Sequence, residues 1–177
     1  MTYGELKCAV MDLILPYSDE YTTAEKEDLE RGVLYYTNLA IDNIQREVWP
    51  LEKTAVLTGT DPALPADLID LLGVEEEEPF RLSFGTDGAP KIHFETDGEH
   101  IVRYVYNSGP VTGNTYVFAF PNEVMGAITY FVAYHLLAGE NDTRQYAAYF
   151  NLYNQACANI ISSRRKRCRF TGGMKGV

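Results

Sequence analysis

Residues 80 to 106 read FRLSFGTDGAPKIHFETDGEHIVRYVY, and within this stretch Asp87-Gly88 and Asp97-Gly98 each separate two runs of alternating apolar and polar residues. Asp-Gly is the preferred centre of a tight hairpin turn, because both central residues of that turn take positive φ angles. The stretch therefore predicts three short strands, Phe80 to Phe84, Lys91 to Glu95 and His100 to Tyr106, following one another as an antiparallel meander. With Asp97-Gly98 as a two-residue turn, Glu95 faces His100 and His93 faces Val102, which places His93, Glu95 and His100 on one face and Ile92, Phe94 and Ile101 on the other.

Outward from the meander, the helical period is missing from Leu51 to Phe120, so about 51 to 120 reads as a β insertion. Lys53 to Thr58 and Tyr116 to Phe120 are expected as further strands. Leu64 to Val74, opening at Pro65 and closing on Gly73, is expected as one or two turns of helix. Helices flank the insertion on both sides. Leu6, Val10 and Leu13 share one side of a helix over 2 to 15, ahead of Pro16; Leu29, Val33, Tyr36, Ala40 and Ile44 trace the stripe of a second over 23 to 48, capped at Thr22-Thr23 and followed by first-turn acids. A third over 121 to 138 is apolar on nearly every face. A fourth over 143 to 163 has Tyr146, Tyr149, Phe150, Tyr153, Cys157 and Ile160 at helical spacing and Asn151, Asn154, Gln155 and Asn159 opposite. The expected fold is α+β, an antiparallel bundle of about four helices carrying a small antiparallel β-sheet, with 1 to 163 as one domain and 164 to 177 as a flexible basic tail.

The chemistry-bearing residues are few. A phosphate-binding loop needs a glycine-rich turn ending in Lys-Ser/Thr, and a serine nucleophile needs a G-x-S-x-G elbow; neither pattern occurs. Cys8, Cys157 and Cys168 are odd in number and widely spaced, as fits a reducing compartment rather than a disulfide framework or a zinc ribbon. His93, Glu95 and His100 could together hold a metal and support a metal-dependent enzyme. The alternation of a half-exposed sheet already demands polar residues there, so a solvated face is the preferred reading. His135, on the apolar helix, is expected as a hydrogen-bonded core histidine, and Glu75 to Glu78 as a solvated acidic loop. No catalytic residue, metal site or cofactor is expected. The opening residues lack the positive start of a signal peptide, and Val124 to Leu137 is too short to span a bilayer.

Charge is the other strong signal. The chain has net charge −10, yet Arg164 to Val177 takes six of the 15 basic residues and none of the 25 acidic ones, leaving 9 against 25, about −16, on the remainder. A helix end needs only one or two cations to suit its negative carbonyl terminus. The cluster Arg164, Arg165, Lys166, Arg167 and Arg169 exceeds that, and reads as a partner-binding segment. Its alternative is a small regulatory or packaging factor that binds nucleic acid through this tail, against which the acidic remainder works by repulsion.

The order of elements, with Leu64-Pro65-Ala66-Asp67-Leu68, Tyr104-Val105-Tyr106, Gly109-Pro110 and Phe120-Pro121-Asn122-Glu123 as local marks, resembles the head-to-tail connector proteins of tailed bacteriophages, also called adaptor or head-completion proteins. The resemblance covers roughly residues 1 to 163. It implies a structural, non-enzymatic virion protein, made in the bacterial cytoplasm and located at the head-tail interface. Such a protein forms a homo-oligomeric ring, usually of twelve copies, under the portal protein. It extends the channel through which genomic DNA passes without specific binding, and meets a downstream tail or stopper protein, with no membrane involved. It also implies portal contact through the C-terminal segment, here Arg164 to Arg169. Phe131, Tyr134, Tyr146, Tyr149 and Tyr153 are the expected oligomer interface, since two strongly apolar helices offer more hydrophobic face than one small core needs.

Overall fold

The structure is a computed structural model that describes residues 1 to 14, 22 to 75, 78 to 85, 88 to 138 and 143 to 171. It is α+β, with four helices and five strands among the described residues, in two compact units, residues 1 to 49 with 110 to 177, and residues 50 to 109.

In the helical unit, α1 (Tyr3–Ile14) begins with a reciprocal cap: the Thr2 amide donates to Glu5 Oε2 at 2.7 Å and the Glu5 amide to Thr2 Oγ1 at 3.2 Å. The start of α1 is also tied to the 114 to 118 segment, through Tyr3 N–H to the Tyr116 carbonyl and Gly4 N–H to the Asn114 carbonyl. The expected strand at Tyr116 to Phe120 is thus reduced to an isolated bridge between Thr2 and Val117, since the chain turns into α1 directly after Thr2. α2 (Thr23–Glu47) carries a complete capping box between Thr22 and Glu25, satisfying amides that the first turn leaves unpaired. α3 (Asn122–Leu137) is the centre of this unit, packing against α1, α2 and α4 (Thr143–Thr171). That explains its apolar residues on nearly every side: Val124, Ala127, Ile128, Val132 and Ala133 are all fully buried, beside Leu6, Val10, Val33 and Ile44 from α1 and α2. α4 runs past Ser163 to Thr171, further than the apolar period predicts.

In the β unit, β1 (Glu52–Thr58), β5 (Glu99–Tyr106) and β2 (Leu68–Val74) form an antiparallel sheet in the order β1-β5-β2, while β3 (Phe80–Phe84) and β4 (Pro90–Phe94) form a separate hairpin. Ile92 and Phe94 of β4 bury themselves against Val102 and Tyr104 of β5, with Leu57, Leu68 and Leu71 around them.

Two expectations are corrected here. Leu68 to Val74 is a strand and not a helix, because β5 is the buried middle strand and has an open edge for it. Gly73, at a φ of +154°, marks a bulge in that ladder, where the sequence reads as a helix stop. The meander is also broken: β4 and β5 follow each other but do not pair. The second edge of β4 is occupied by the 60 to 64 segment, through Phe94 N–H to the Thr60 carbonyl at 2.8 Å and Ile92 N–H to that of Pro62 at 3.3 Å. The turn at Gly98 is instead held by Gly59, whose amide donates to the Gly98 carbonyl at 2.8 Å, continuing the β1–β5 pairing. β3 and β4 pair as a hairpin, with Phe84 opposite Pro90 and Gly88 at a φ of +77° in the connection; Asp87, the other half of the predicted Asp-Gly turn, lies outside the described residues.

Candidate interaction surfaces

The broken meander decides the fate of the metal candidate. In β5 the alternation turns His100, Val102 and Tyr104 inward, and in β4 it turns Ile92 and Phe94 inward, so His93 points out where His100 points in. His100 stacks on Phe94 with ring centroids 3.7 Å apart, and its Nδ1 lies 2.6 Å from Glu78 Oε2. His93 Nδ1 instead lies 2.8 Å from Asp61 Oδ1, and Glu95 is exposed. The two histidines therefore sit in separate pairs, each with its own carboxylate. Among the described residues no group of three or more His, Cys, Asp or Glu side chains could hold a metal. The Thr96 hydroxyl also donates to Glu78, at 2.5 Å, and this bond, with His100 second, holds the Glu78 carboxyl below its ordinary range. Glu78 is thus a structural tether within the β unit, where the sequence reads as a solvated acidic run.

The aromatic residues expected at an interface are drawn largely into the seam between α3 and α4. Phe131 and Tyr134 are buried within the protomer, while Tyr146, Tyr149 and Tyr153 of α4 are half-buried. Phe131 meets Tyr153 edge-on at 5.2 Å, Tyr134 meets Tyr146 at 5.7 Å, and the Tyr149 hydroxyl donates to the Leu13 carbonyl at 3.1 Å. Burial raises the phenol pKa of Tyr153 far above its ordinary value and also raises the neighbouring Cys157 thiol, which makes this cysteine a poor nucleophile. His135 lies between α3 and α2 instead, stacked on Tyr36 at 4.9 Å, and burial lowers its pKa. These rings build the protomer first; what they leave outside is limited to their half-exposed edges.

The opposite side of α4 is of another kind. From Gln145 to Ser163 there is no charged residue, although 23% of the chain is charged. Ala147, Ala148, Asn151, Leu152, Asn154, Gln155, Ala158, Asn159 and Ser162 are all exposed. An exposed helix face in water ordinarily carries charge, so this neutral amide face is built for contact more than for solvation. The last buried apolar side chain on the described part of α4 is Ile160, and Arg164 is half-buried. Beyond it, Arg165, Lys166, Arg167 and Arg169 stand on helical backbone; their side chains, and residues 172 to 177, lie outside the described residues.

A further surface escaped the sequence reading. Phe80, Leu82 and Phe84 are exposed, Phe84 by 80%, and line an open groove of about 320 Å³ with Leu64, Leu68 and Leu71. The signal was present in their strict alternation with Arg81 and Ser83, which marks one wholly apolar strand face. No helix among the described residues is long and apolar enough to cross a membrane.

No family model matches the chain, and no curated protein matches it. Sixteen chains of solved structures do. One belongs to the neck of an empty GTA particle computed with C6 symmetry; it is 16% identical, covers 81% of this chain and 85% of its own length, and superposes with a TM-score of 0.32. At that identity and score the likeness assigns neither fold nor family to this chain.

Proposed function

We propose that the chain is a structural, non-catalytic subunit of a phage-type head-to-tail connector, assembling as a ring beneath a portal and docking there through the basic end of α4. The observation that carries this reading is α4 itself. It is a helix of 29 residues packed on α3 through an aromatic seam, with a neutral outer face and a cationic end on an otherwise acidic chain. Arg164, Arg165, Lys166, Arg167 and Arg169 suit an acidic groove on a partner protein, where guanidinium groups bind carboxylates in a bidentate manner. The acidic remainder suits a channel through which DNA slides, since repulsion removes the phosphate contacts that would hold it. The GTA neck chain occupies a comparable kind of place in its own particle, but the reading does not rest on it.

Co-expression with the portal protein tests it. The full chain is expected to co-purify with the portal and to show rings by electron microscopy, while a chain lacking residues 164 to 177 keeps its fold and loses attachment. If the basic end instead serves nucleic acid, the full chain binds DNA with an affinity that falls steeply with salt and ignores the portal.

A further inference from the structure

We infer that the neutral outer face of α4 is the surface that packs against a second copy of this chain, and that it is received there by α2 around Leu34 and Tyr35. This rests on the reading of the protein as a ring subunit and assigns the surface that closes the ring.

Electrostatics selects the occupant. Two copies of a chain at −10 repel wherever acidic surfaces meet, and the charge-free stretch Gln145 to Ser163 offers an approach without that cost. Amides both donate and accept, so Gln155 and Asn159 can satisfy polar groups on whatever covers them. The exposed stripe Ala148, Leu152, Gln155 and Asn159 follows helical spacing, which suits it to lie along another helix.

α2 carries the complementary pattern. Its exposed start holds Glu25, Glu27, Asp28 and Glu30 against Lys26 and Arg31, and the next ten residues, Gly32 to Ile41, carry no charge. Within that neutral stretch Tyr35 is 65% exposed and Leu34 37%, an apolar pair left in solvent in the middle of a helix. Laid antiparallel, the acidic start of one copy's α2 points toward the basic end of the other's α4, an orientation that opposite charge favours while the cationic cluster stays available to the portal. The neutral middles then meet between them: Tyr35 is seven residues, about 10 Å, from Asp28, as Asn159 is from Lys166. The two surfaces differ, so the contact is head-to-tail, the type that generates rings.

Charge placed on either face tests the assignment, with sedimentation and electron microscopy of the full chain, alone and with the portal, as the readout, and circular dichroism confirming that each variant is folded. Gln155→Glu/Asn159→Glu is expected to weaken self-association by about a hundredfold or more, and Tyr35→Glu likewise, since each buries an unpaired charge in the contact. Gln155→Lys/Asn159→Lys is expected to be better tolerated, because the neutral stretch of the receiving α2 is flanked by an excess of acids, Glu25, Glu27, Asp28 and Glu30 before it and Asp42 and Glu47 after it. Wild-type assembly by folded Glu variants, equal loss with Lys and Glu, or indifference to Tyr35→Glu would each overturn the assignment while leaving the ring reading intact. A wild-type chain that stays monomeric even with the portal would overturn both.

Discussion

Phe131 is one of the rings that link α3 to α4. It is 2% exposed and meets Tyr134 and Tyr153 edge-on at 5.2 Å each. Phe131→Ala is expected to cost about 3–5 kcal/mol in chemical denaturation, the range for emptying an aromatic core site. The expectation for the exposed Gln155→Ala is a change within about 0.5 kcal/mol, so stability separates the seam from the outer face. Glu78 supplies a second test. The Thr96 hydroxyl bond and then His100 depress its pKa below the ordinary 4.5. A depressed carboxyl contributes stability above its unfolded value and loses it as pH falls toward the folded one. Acid unfolding of the β unit should therefore begin below about pH 4.5, and Glu78→Gln should flatten that limb of the pH profile. An unchanged acid limb would show that the tether contributes nothing.

Among the elements, the four helices were legible because each carries a signal that tertiary structure reinforces. Thr22 and Glu25 mark the start of α2, and their capping box is present, so Thr22→Ala should lower thermal stability by about 1 kcal/mol. The strands were legible in kind but not in partnership. Alternation tells which side of a strand is wet, and says nothing of which neighbour lies across a ladder. Phe94 and Val102 thus share a core, as their apolar character predicts, while β4 pairs with β3 and the 60 to 64 segment. Leu68-Ile69-Asp70-Leu71-Leu72-Gly73-Val74 is too short for its period to decide between helix and strand; the open edge of β5 decided it. The metal candidate failed for the same reason, since it required the ladder between β4 and β5.

At the scale of the molecule, charge was the legible part. The acidic chain, the basic end and the neutral run of α4 can all be read from residue order, but exposure cannot. Only the structure shows Phe131 and Tyr134 spent inside the protomer while Asn151, Gln155 and Asn159 face outward. Buried apolar packing on the described part of α4 ends at Ile160, so removing residues 164 to 177 should leave the cooperative melting transition in place. The most direct measurement is co-sedimentation of the portal protein with the full chain and with the chain ending at Ser163, each verified as folded. The account predicts that the full chain sediments with the portal and the shortened one stays behind. Equal attachment of both, or attachment of neither, would contradict it.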